Sequence, residues 1–149
     1  MIRTIFGMRG HGKTTLASTF LKKPEKPVIC LDLFNQFNGK RTFTSSRDLL
    51  KHLIKTGGAN IKEPLFISIF EKEDFSILCK TAIEHQNLCL ILDEVDMFDS
   101  PHSQDREFKK LIHYGRHYKI DLVTTSRRPH NVSRDLTSQT EMFYVFKDR

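Results

Sequence analysis

Short apolar runs alternate with amphipathic stretches along most of this chain. Six runs have the length and hydrophobicity of strands: residues 1–6, 28–33, 64–70, 88–94, 120–126 and 142–146. Four stretches between them have the apolar periodicity of helices: residues 14–22, 47–55, 74–85 and 101–117. Strands that alternate with helices in this way predict an α/β fold with a doubly wound, mainly parallel sheet.

Polar residues mark the ends of these elements. Ser46 is the predicted N-cap of the second helix, and Ser100 with Pro101 is predicted to begin the fourth. Residues 34–44 are predicted to form a loop, and a second polar loop is expected before the last strand. Asp32, at the end of the second strand, has two interpretations: it contacts a ribose, or it caps the following turn. We favour the second.

A glycine-rich octapeptide follows the first strand and leads into the first helix. It reads Gly7-Met8-Arg9-Gly10-His11-Gly12-Lys13-Thr14 and fits the pattern GxxxxGK[ST]. In this context backbone N–H groups and the helix N-terminus point at phosphate oxygens, Lys13 reaches the β- and γ-phosphates, and the Thr14 hydroxyl ligates Mg²⁺. The predicted phosphate-binding set is Gly7, Arg9, Gly10, His11, Gly12, Lys13, Thr14 and Thr15. The motif therefore predicts that the chain binds a nucleoside triphosphate.

A second informative segment is the apolar strand that ends in Asp93 and Glu94. A carboxylate at the carboxyl end of a strand beside a phosphate loop can hold Mg²⁺, which is the Walker B role, here predicted for Asp93. Glu94 is then placed to activate the attacking water as general base. Asp96 and Asp99 are predicted to be a solvated acidic turn without a catalytic role.

Length and charge narrow the class of protein. The 149 residues suit one domain, predicted to span residues 1–149, and the net charge of +6 is unevenly distributed. Residues 1–63 carry +8, residues 64–100 carry −6, and residues 101–149 carry +4. An acidic centre between basic ends suits an enzyme that handles polyanions, although a basic balance also serves solubility.

The cysteine, histidine and hydropathy patterns argue against a metal site and against a membrane-spanning protein. Cys30, Cys79 and Cys89 lie in or beside apolar segments without C-x-x-C spacing, so they are predicted to be buried free thiols. His113 and His117 are predicted to be solvated, since no third metal ligand accompanies them. No apolar run approaches the length of a membrane span, and we expect a protein of the bacterial or host cytoplasm.

The strand that ends in Asp-Glu resembles that of the additional-strand, catalytic-glutamate division of P-loop ATPases. Residues 114–129, with a basic helix end, an apolar strand and the tip Ser126-Arg127-Arg128-Pro129, are similar to the HerA/FtsK superfamily, as is the later segment 136–146. This resemblance covers most of the chain in patches. It implies a P-loop NTPase three-layer sandwich with a RecA-like core, and within the superfamily the compact, single-domain chain is most similar to the DNA-packaging ATPases of viruses and phages.

The resemblance also implies an activity and partners. Members of this superfamily are DNA-pumping motors, so it implies Mg²⁺-dependent ATP hydrolysis that moves double-stranded DNA or packages a genome. It further implies a homo-oligomeric ring, a hexamer or a pentamer, with capsid or other phage and mobile-element proteins as partners. Arg127 stands where the family's sensor glutamine is usual, so the sensor role falls to Ser126 or Arg127. Arg127 either contacts the γ-phosphate within its own subunit or forms a structural ion pair.

Arg116 is the candidate arginine finger donated to a neighbouring subunit; stabilising the carboxyl end of its helix is the alternative. Candidate DNA contacts are Lys40, Arg41, Lys109, Lys110 and Arg134. Phe34, Phe37 and Phe43 are predicted to pack beneath a long loop as a small hydrophobic cluster; a stacking surface for bases is the alternative. Two other functions stay open: a nucleotide-gated adaptor for a protein partner, and an AAA-like remodeller or helicase loader.

Overall fold

Seven parallel strands form one sheet through the middle of the molecule, in the order β3-β4-β2-β5-β6-β1-β7. The structure is a computed structural model, and it describes residues 1–8, 12–22, 25–39, 41–56 and 62–146. The strands are β1 (Ile2–Phe6), β2 (Val28–Leu31), β3 (Thr42–Phe43), β4 (Leu65–Ile67), β5 (Leu88–Leu92), β6 (Ile120–Ser126) and β7 (Met142–Val145). The α/β class and the parallel sheet are therefore as predicted.

Within the described residues, five α-helices and three short 3₁₀ turns connect the strands. The helices are α1 (Lys13–Ser18), α2 (Ser46–Lys55), α3 (Lys72–His85), α4 (Arg106–Tyr114) and α5 (Arg134–Gln139); the 3₁₀ turns are Thr19–Leu21, Val95–Met97 and Pro129–Asn131. Within the described parts of the chain, no helix has both the length and the apolar content needed to cross a lipid bilayer.

The two faces of the sheet bury separate hydrophobic clusters. On one face, side chains of α2, α3, α4 and α5 pack against alternate strand residues such as Ile29, Leu31 and Leu90. On the other face, α1 contributes Ala17 and packs over Val123, among others. Every residue of β2 is buried, which explains its continuous apolar sequence. The sheet lies between two helical layers, as the three-layer prediction requires.

Strand order and register place the central tips beside one another. β6 lies between β1 and β5, with Phe6 level with Ser126 and Leu92 level with Thr124. Because the strands are parallel, the segments that leave β1, β5 and β6 all emerge at the same carboxyl edge. The glycine-rich loop, the Asp93-Glu94 pair and the predicted sensor tip are therefore neighbours.

Two predicted helix starts are wrong. Ser45, not Ser46, caps α2 by accepting a hydrogen bond from the Asp48 N–H at 3.1 Å. The fourth helix begins after Asp105, which accepts from the Phe108 N–H at 2.9 Å. Ser100 instead forms a small bridge with Ser103, so the Ser-Pro signal marks a turn here.

Two short elements lie in segments predicted to be loops. β3 adds an edge strand within the first loop, and α5 occupies the polar segment before β7. In α5 only Leu136 is a buried apolar residue, so one anchor cannot produce a helical periodicity. Its N-cap, Ser133, accepts a hydrogen bond from the Leu136 N–H at 3.4 Å.

Candidate functional site

A cleft of about 490 Å³ opens at the carboxyl edge of the sheet, above β1 and β5. Its lining brings together residues from the glycine-rich loop, the turn after β2 and the end of β5: Gly12, Lys13, Thr14, Thr15, Gln36, Asp93 and Glu94. A larger cavity, of about 600 Å³, lies at the β3 edge and contains none of these residues. The smaller cleft is the one that gathers the predicted chemistry.

Gly12 and Gly7 shape the backbone at the two ends of the loop. Gly12 has φ of 91°, a left-handed conformation that L side chains rarely adopt, and its carbonyl accepts from the Leu16 N–H at 2.9 Å to begin α1. The Gly7 N–H donates to the Ser126 carbonyl at 3.1 Å, which joins the loop to the tip of β6. Arg9, Gly10 and His11 lie outside the described residues.

Lys13 carries a cation into the floor of the cleft. The residue is 6% exposed, and its Nζ has no hydrogen-bond partner within the described parts of the chain. Burial lowers the pKa of Lys13, and the carboxylates of Glu94 and Asp93 oppose that shift. A buried ammonium without a partner is costly to the folded protein unless an anion binds to it.

The Thr14 hydroxyl faces a residue that sequence reasoning missed. It donates to Gln36 Oε1 at 3.0 Å. The turn that presents Gln36 is held by Asp32, whose two carboxylate oxygens accept from the Gln36 N–H at 2.8 Å and the Phe37 N–H at 3.1 Å. Asp32 therefore caps the turn, the interpretation we favoured. The only sequence signal for Gln36 was a polar residue soon after a buried strand.

Asp93 is buried at the wall of the cleft, with 1% of its surface exposed. Its Oδ1 accepts from the Thr125 hydroxyl at 2.6 Å, while its Oδ2 has no partner among the described residues. Burial raises the pKa of Asp93 from the ordinary 3.8 to about 6, and the Thr125 hydrogen bond opposes this. The carboxylate thus has one oxygen held and one available.

These oxygen donors fit Mg²⁺. The ion is usually held by one or two carboxylates together with waters and substrate phosphates, without an all-protein cage. Asp93 Oδ2 and the Thr14 hydroxyl supply such donors at the same cleft. Within the described residues no group of three or more His, Cys, Asp or Glu side chains is arranged to hold a metal ion.

Glu94 has an unusual backbone at the rim of the cleft. Its φ of 52° and ψ of 49° are left-handed, and its N–H donates to Thr125 Oγ1 at 2.8 Å. This conformation turns the chain sharply from β5 into the 3₁₀ turn Val95–Met97. The side chain remains partly exposed on the cleft, where a water could reach it.

The prediction for Asp96 and Asp99 is wrong, because neither carboxylate is solvated. The Asp96 side chain is 4% exposed and accepts from Arg127 Nε at 3.2 Å, whereas Asp99 is 1% exposed and accepts from the Ser133 N–H at 2.8 Å. Tertiary partners far along the chain bury both. The alternative that Arg127 forms an ion pair therefore describes this structure, with 55% of the arginine side chain exposed.

Arg116 lies away from the cleft. It follows α4 and precedes β6, so it is at the amino edge of the sheet, whereas the cleft is at the carboxyl edge. Its side chain is 80% exposed and pairs with Glu141 at 2.7 Å. Arg116 therefore cannot reach the cleft of its own subunit without a large rearrangement.

The predicted DNA contacts are dispersed. Arg41, Lys109, Lys110 and Arg134 are exposed, and Lys40 lies outside the described residues. The three phenylalanines do not form one cluster: Phe43 joins the core beneath α2, Phe37 packs on the opposite face of the sheet, and Phe34 is 48% exposed.

The cysteines agree with the sequence interpretation and the histidines only partly. Cys30, Cys79 and Cys89 are free thiols, with Cys89 less buried than the other two. His113 is paired with Asp135 at 3.3 Å, so it is not simply solvated as predicted.

No protein-family model matches the sequence, and no curated protein matches it significantly. Several solved structures are similar to this chain. The genome-packaging NTPase B204 of Sulfolobus turreted icosahedral virus 2, in complex with ATP-γS, aligns with a TM-score of 0.78 at 18% identity, covering 99% of this chain and 75% of that one. B204 of Sulfolobus turreted icosahedral virus, a DNA-packaging ATPase, aligns with a TM-score of 0.75 at 20% identity, covering 99% and 76%.

The fold is that of a P-loop NTPase. The N-terminal domain of zonular occludens toxin from Neisseria meningitidis is similar as well, with a TM-score of 0.63 at 18% identity and coverage of 99% and 77%. The predicted resemblance is thus confirmed at the level of the fold. Within this P-loop NTPase fold, the cleft occupies the carboxyl edge, where parallel α/β sheets bind their ligands.

Proposed function

We propose that this chain is a Mg²⁺-dependent ATPase domain, spanning residues 1–149, that moves double-stranded DNA as a homo-oligomeric ring. The observation that carries the proposal is a pair of unsatisfied charges in one cleft: within the described residues, Lys13 Nζ and Asp93 Oδ2 have no hydrogen-bond partner. A buried cation and a buried carboxylate oxygen at the start of α1 are what a phosphate chain and its metal ion would satisfy.

Phosphate binding is the first part of the mechanism. Gly12, Lys13, Thr14 and Thr15 surround the phosphates with backbone N–H groups, together with Arg9, Gly10 and His11 of the same loop, whereas Gly7, whose N–H donates to the Ser126 carbonyl, fixes the start of the loop. Lys13 supplies the charge that the motif directs at the β- and γ-phosphates. Its low exposure strengthens the attraction, because little water competes in the cleft.

Thr14 and Asp93 are the residues that would hold Mg²⁺. When bound, the ion would neutralise negative charge that develops on the phosphates. Thr14 donates its hydroxyl proton to Gln36 in this structure, which leaves the lone pairs of the hydroxyl oxygen available for the ion. Asp93 likewise has Oδ2 without a hydrogen-bond partner among the described residues.

Glu94 orients the attacking water and takes its proton. Its carboxylate lies at the partly exposed rim, one residue from Asp93, which is the position expected of a general base. Arg127, which is paired with Asp96 and whose charge acts on Lys13, stabilises the transferring phosphoryl from its own subunit, and Arg116 does so from a neighbour. The sensor role falls to Ser126 or to Arg127.

Several observations support DNA as the cargo. B204 is described as a genome-packaging NTPase, and the basic balance of the present chain suits a polyanion. The exposure of Arg116 supports a ring, because a neighbouring subunit could take over this side chain from Glu141. Capsid or other phage proteins would be the partners of such a motor, acting in the cytoplasm.

A second function is a nucleotide-gated adaptor in which hydrolysis only times the binding of a protein partner. The similarity to zonular occludens toxin, whose solved domain is not described as a packaging enzyme, favours keeping this candidate. An AAA-like remodeller has weaker support, since the HORMA:CdnC:Trip13 complex aligns with a TM-score of only 0.55.

The test is ATP hydrolysis as a function of protein concentration, with and without double-stranded DNA. A ring motor predicts a rate that rises cooperatively with concentration and rises again with DNA. Glu94→Gln should lower kcat by about 10²- to 10⁴-fold, the usual worth of a general base, while ATP binding persists. Glu84→Gln, an exposed change on α3, is the matched control.

Arg116→Ala separates the two functions. In a ring it should abolish the cooperative part of the rate without altering nucleotide binding to the isolated subunit. A rate that is insensitive to protein concentration, to DNA and to Arg116→Ala would contradict the motor and leave the adaptor.

A further inference from the structure

Thr125 connects the two acidic residues of the cleft. It is fully buried in β6, with 0% of its surface exposed. Leu92 is level with Thr124, so the next residue of each strand, Asp93 and Thr125, face one another where β5 ends. A threonine in that position is polar in the middle of an otherwise packed layer, and buried polar groups normally have a specific partner.

The Thr125 hydroxyl has two partners, and its chemistry determines their directions. A hydroxyl has one proton, which Thr125 donates to Asp93 Oδ1 at 2.6 Å. Its lone pairs remain available, and one of them accepts the Glu94 N–H at 2.8 Å. One side chain therefore holds the carboxylate of Asp93 and the backbone of Glu94 at the same time.

Each bond has a consequence for the cleft. Because Oδ1 of Asp93 accepts from Thr125, the rotation of the carboxylate is restricted, and Oδ2 is the oxygen that has no partner among the described residues. Because the Glu94 N–H is anchored, the left-handed backbone at Glu94 has a hydrogen bond that stabilises an otherwise unfavourable conformation for a non-glycine residue.

We infer that Thr125 is a positioning residue: it orients Asp93 toward Mg²⁺ and fixes the rim from which Glu94 acts. The inference rests on the proposed ATPase function and deepens it. Hydrogen bonds to metal-ligating carboxylates from outside the ligand set typically change metal affinity or activity by about 10- to 100-fold when removed. Thr125 is a single hydroxyl that would influence both the metal ligand and the general base.

The neighbouring Thr124 provides a matched control. It is also fully buried, but its hydroxyl donates to Thr4 Oγ1 at 3.1 Å on the opposite face of the sheet. Thr124→Val and Thr125→Val thus remove equivalent hydroxyls from adjacent buried positions, and only the second touches Asp93. Thr125→Ser keeps the hydroxyl and removes only a methyl group.

The experiment compares the wild type and these three variants in two measurements. The first is kcat and the Mg²⁺ concentration at half-maximal ATPase rate. The second is calorimetric binding of a non-hydrolysable ATP analogue, with Mg²⁺ and with EDTA. Thr125→Val should lower kcat about 10- to 100-fold and weaken binding about tenfold with Mg²⁺ but not with EDTA. Thr125→Ser should stay within about threefold of wild type, as should Thr124→Val, within the usual scatter of conservative changes.

The outcomes separate the inference from the function beneath it. If Thr125→Val matches Thr124→Val in both measurements, Thr125 is only structural and the inference is wrong; the same follows if Thr125→Ser is as impaired as Thr125→Val. If the wild type binds the analogue with Mg²⁺ but hydrolyses nothing, the ATPase proposal fails, while the calorimetric comparison still decides the role of Thr125. A wild type that does not bind the analogue overturns both.

Discussion

Lys13 is expected to reduce the stability of the nucleotide-free protein. Lys13 is 6% exposed, its Nζ lacks a hydrogen-bond partner among the described residues, and burial lowers its pKa. Desolvation of its ammonium is therefore a cost of folding that the unfolded chain, with Lys13 in water, does not have. Lys13→Met retains the buried stem and removes the charge.

The magnitude follows from two opposing contributions. A buried, unsatisfied polar group costs about 1–3 kcal/mol. Part of this is offset by the attraction of Lys13 to Glu94, Asp93 and Asp96, which raises its pKa although burial has the larger effect. We expect Lys13→Met to increase the unfolding free energy by about 1 kcal/mol, a rise in Tm of roughly 2–4 °C for a chain of this size.

Adding MgATP should make the wild type more stable than Lys13→Met. At a ligand concentration of 100 times Kd, the wild type gains about 2.7 kcal/mol, whereas Lys13→Met, which cannot hold the phosphates, gains almost nothing. The assay is thermal unfolding with and without MgATP, and Lys80→Met on the exposed surface of α3 is the control. A nucleotide-free Lys13→Met that is less stable than wild type would refute the reasoning, because the ammonium would then stabilise the empty cleft through its carboxylates.

Two further predictions concern the neighbouring carboxylate and the core. Burial raises the pKa of Asp93 to about 6, so between about pH 4 and 6 the folded state keeps a proton that the unfolded state has lost, and unfolding free energy should fall as pH rises. Asp93→Asn should flatten this part of a Tm–pH profile and raise Tm at pH 7; an unchanged profile would contradict the assigned pKa. Phe75 is 1% exposed and stacks on Phe98 with ring centroids 4.5 Å apart. Phe75→Ala should cost about 3–5 kcal/mol in denaturant unfolding. Phe34→Ala, at a half-exposed ring, should cost much less, and equal losses would show that burial does not set the difference.

Local patterns were sufficient to predict much of this protein. Strand β6 has the predicted bounds, and the other five predicted strands are present with shorter ends. The sequence also predicted the phosphate-loop motif with Lys13 and Thr14, and the acidic pair at the end of β5. A strand buried on both faces is apolar throughout, and a phosphate loop needs glycines at set spacings. Both can therefore be recognised from a few consecutive residues.

Helix ends and acidic residues were less predictable. Ser100-Pro101 has the composition of a helix start, yet Asp105 makes the capping hydrogen bond. Asp96 and Asp99 were expected in water because charged residues usually are, but Arg127 and Ser133 reach them from more than 30 positions away. The residues next to an aspartate in the sequence do not indicate such distant partners.

The amino-acid sequence by itself determined the layered α/β fold and the residues to which we assign the nucleotide chemistry, because hydrophobic periodicity and the phosphate-loop motif are local properties. Only the tertiary structure decided which oxygen of Asp93 is available and that the Thr14 hydroxyl donates to Gln36. It also decided that Arg116 lies on the opposite edge of the sheet from the cleft, and that Thr125 is hydrogen-bonded to both Asp93 and Glu94. Each of these depends on strand order and register, which bring together segments separated by 20 or more residues along the chain.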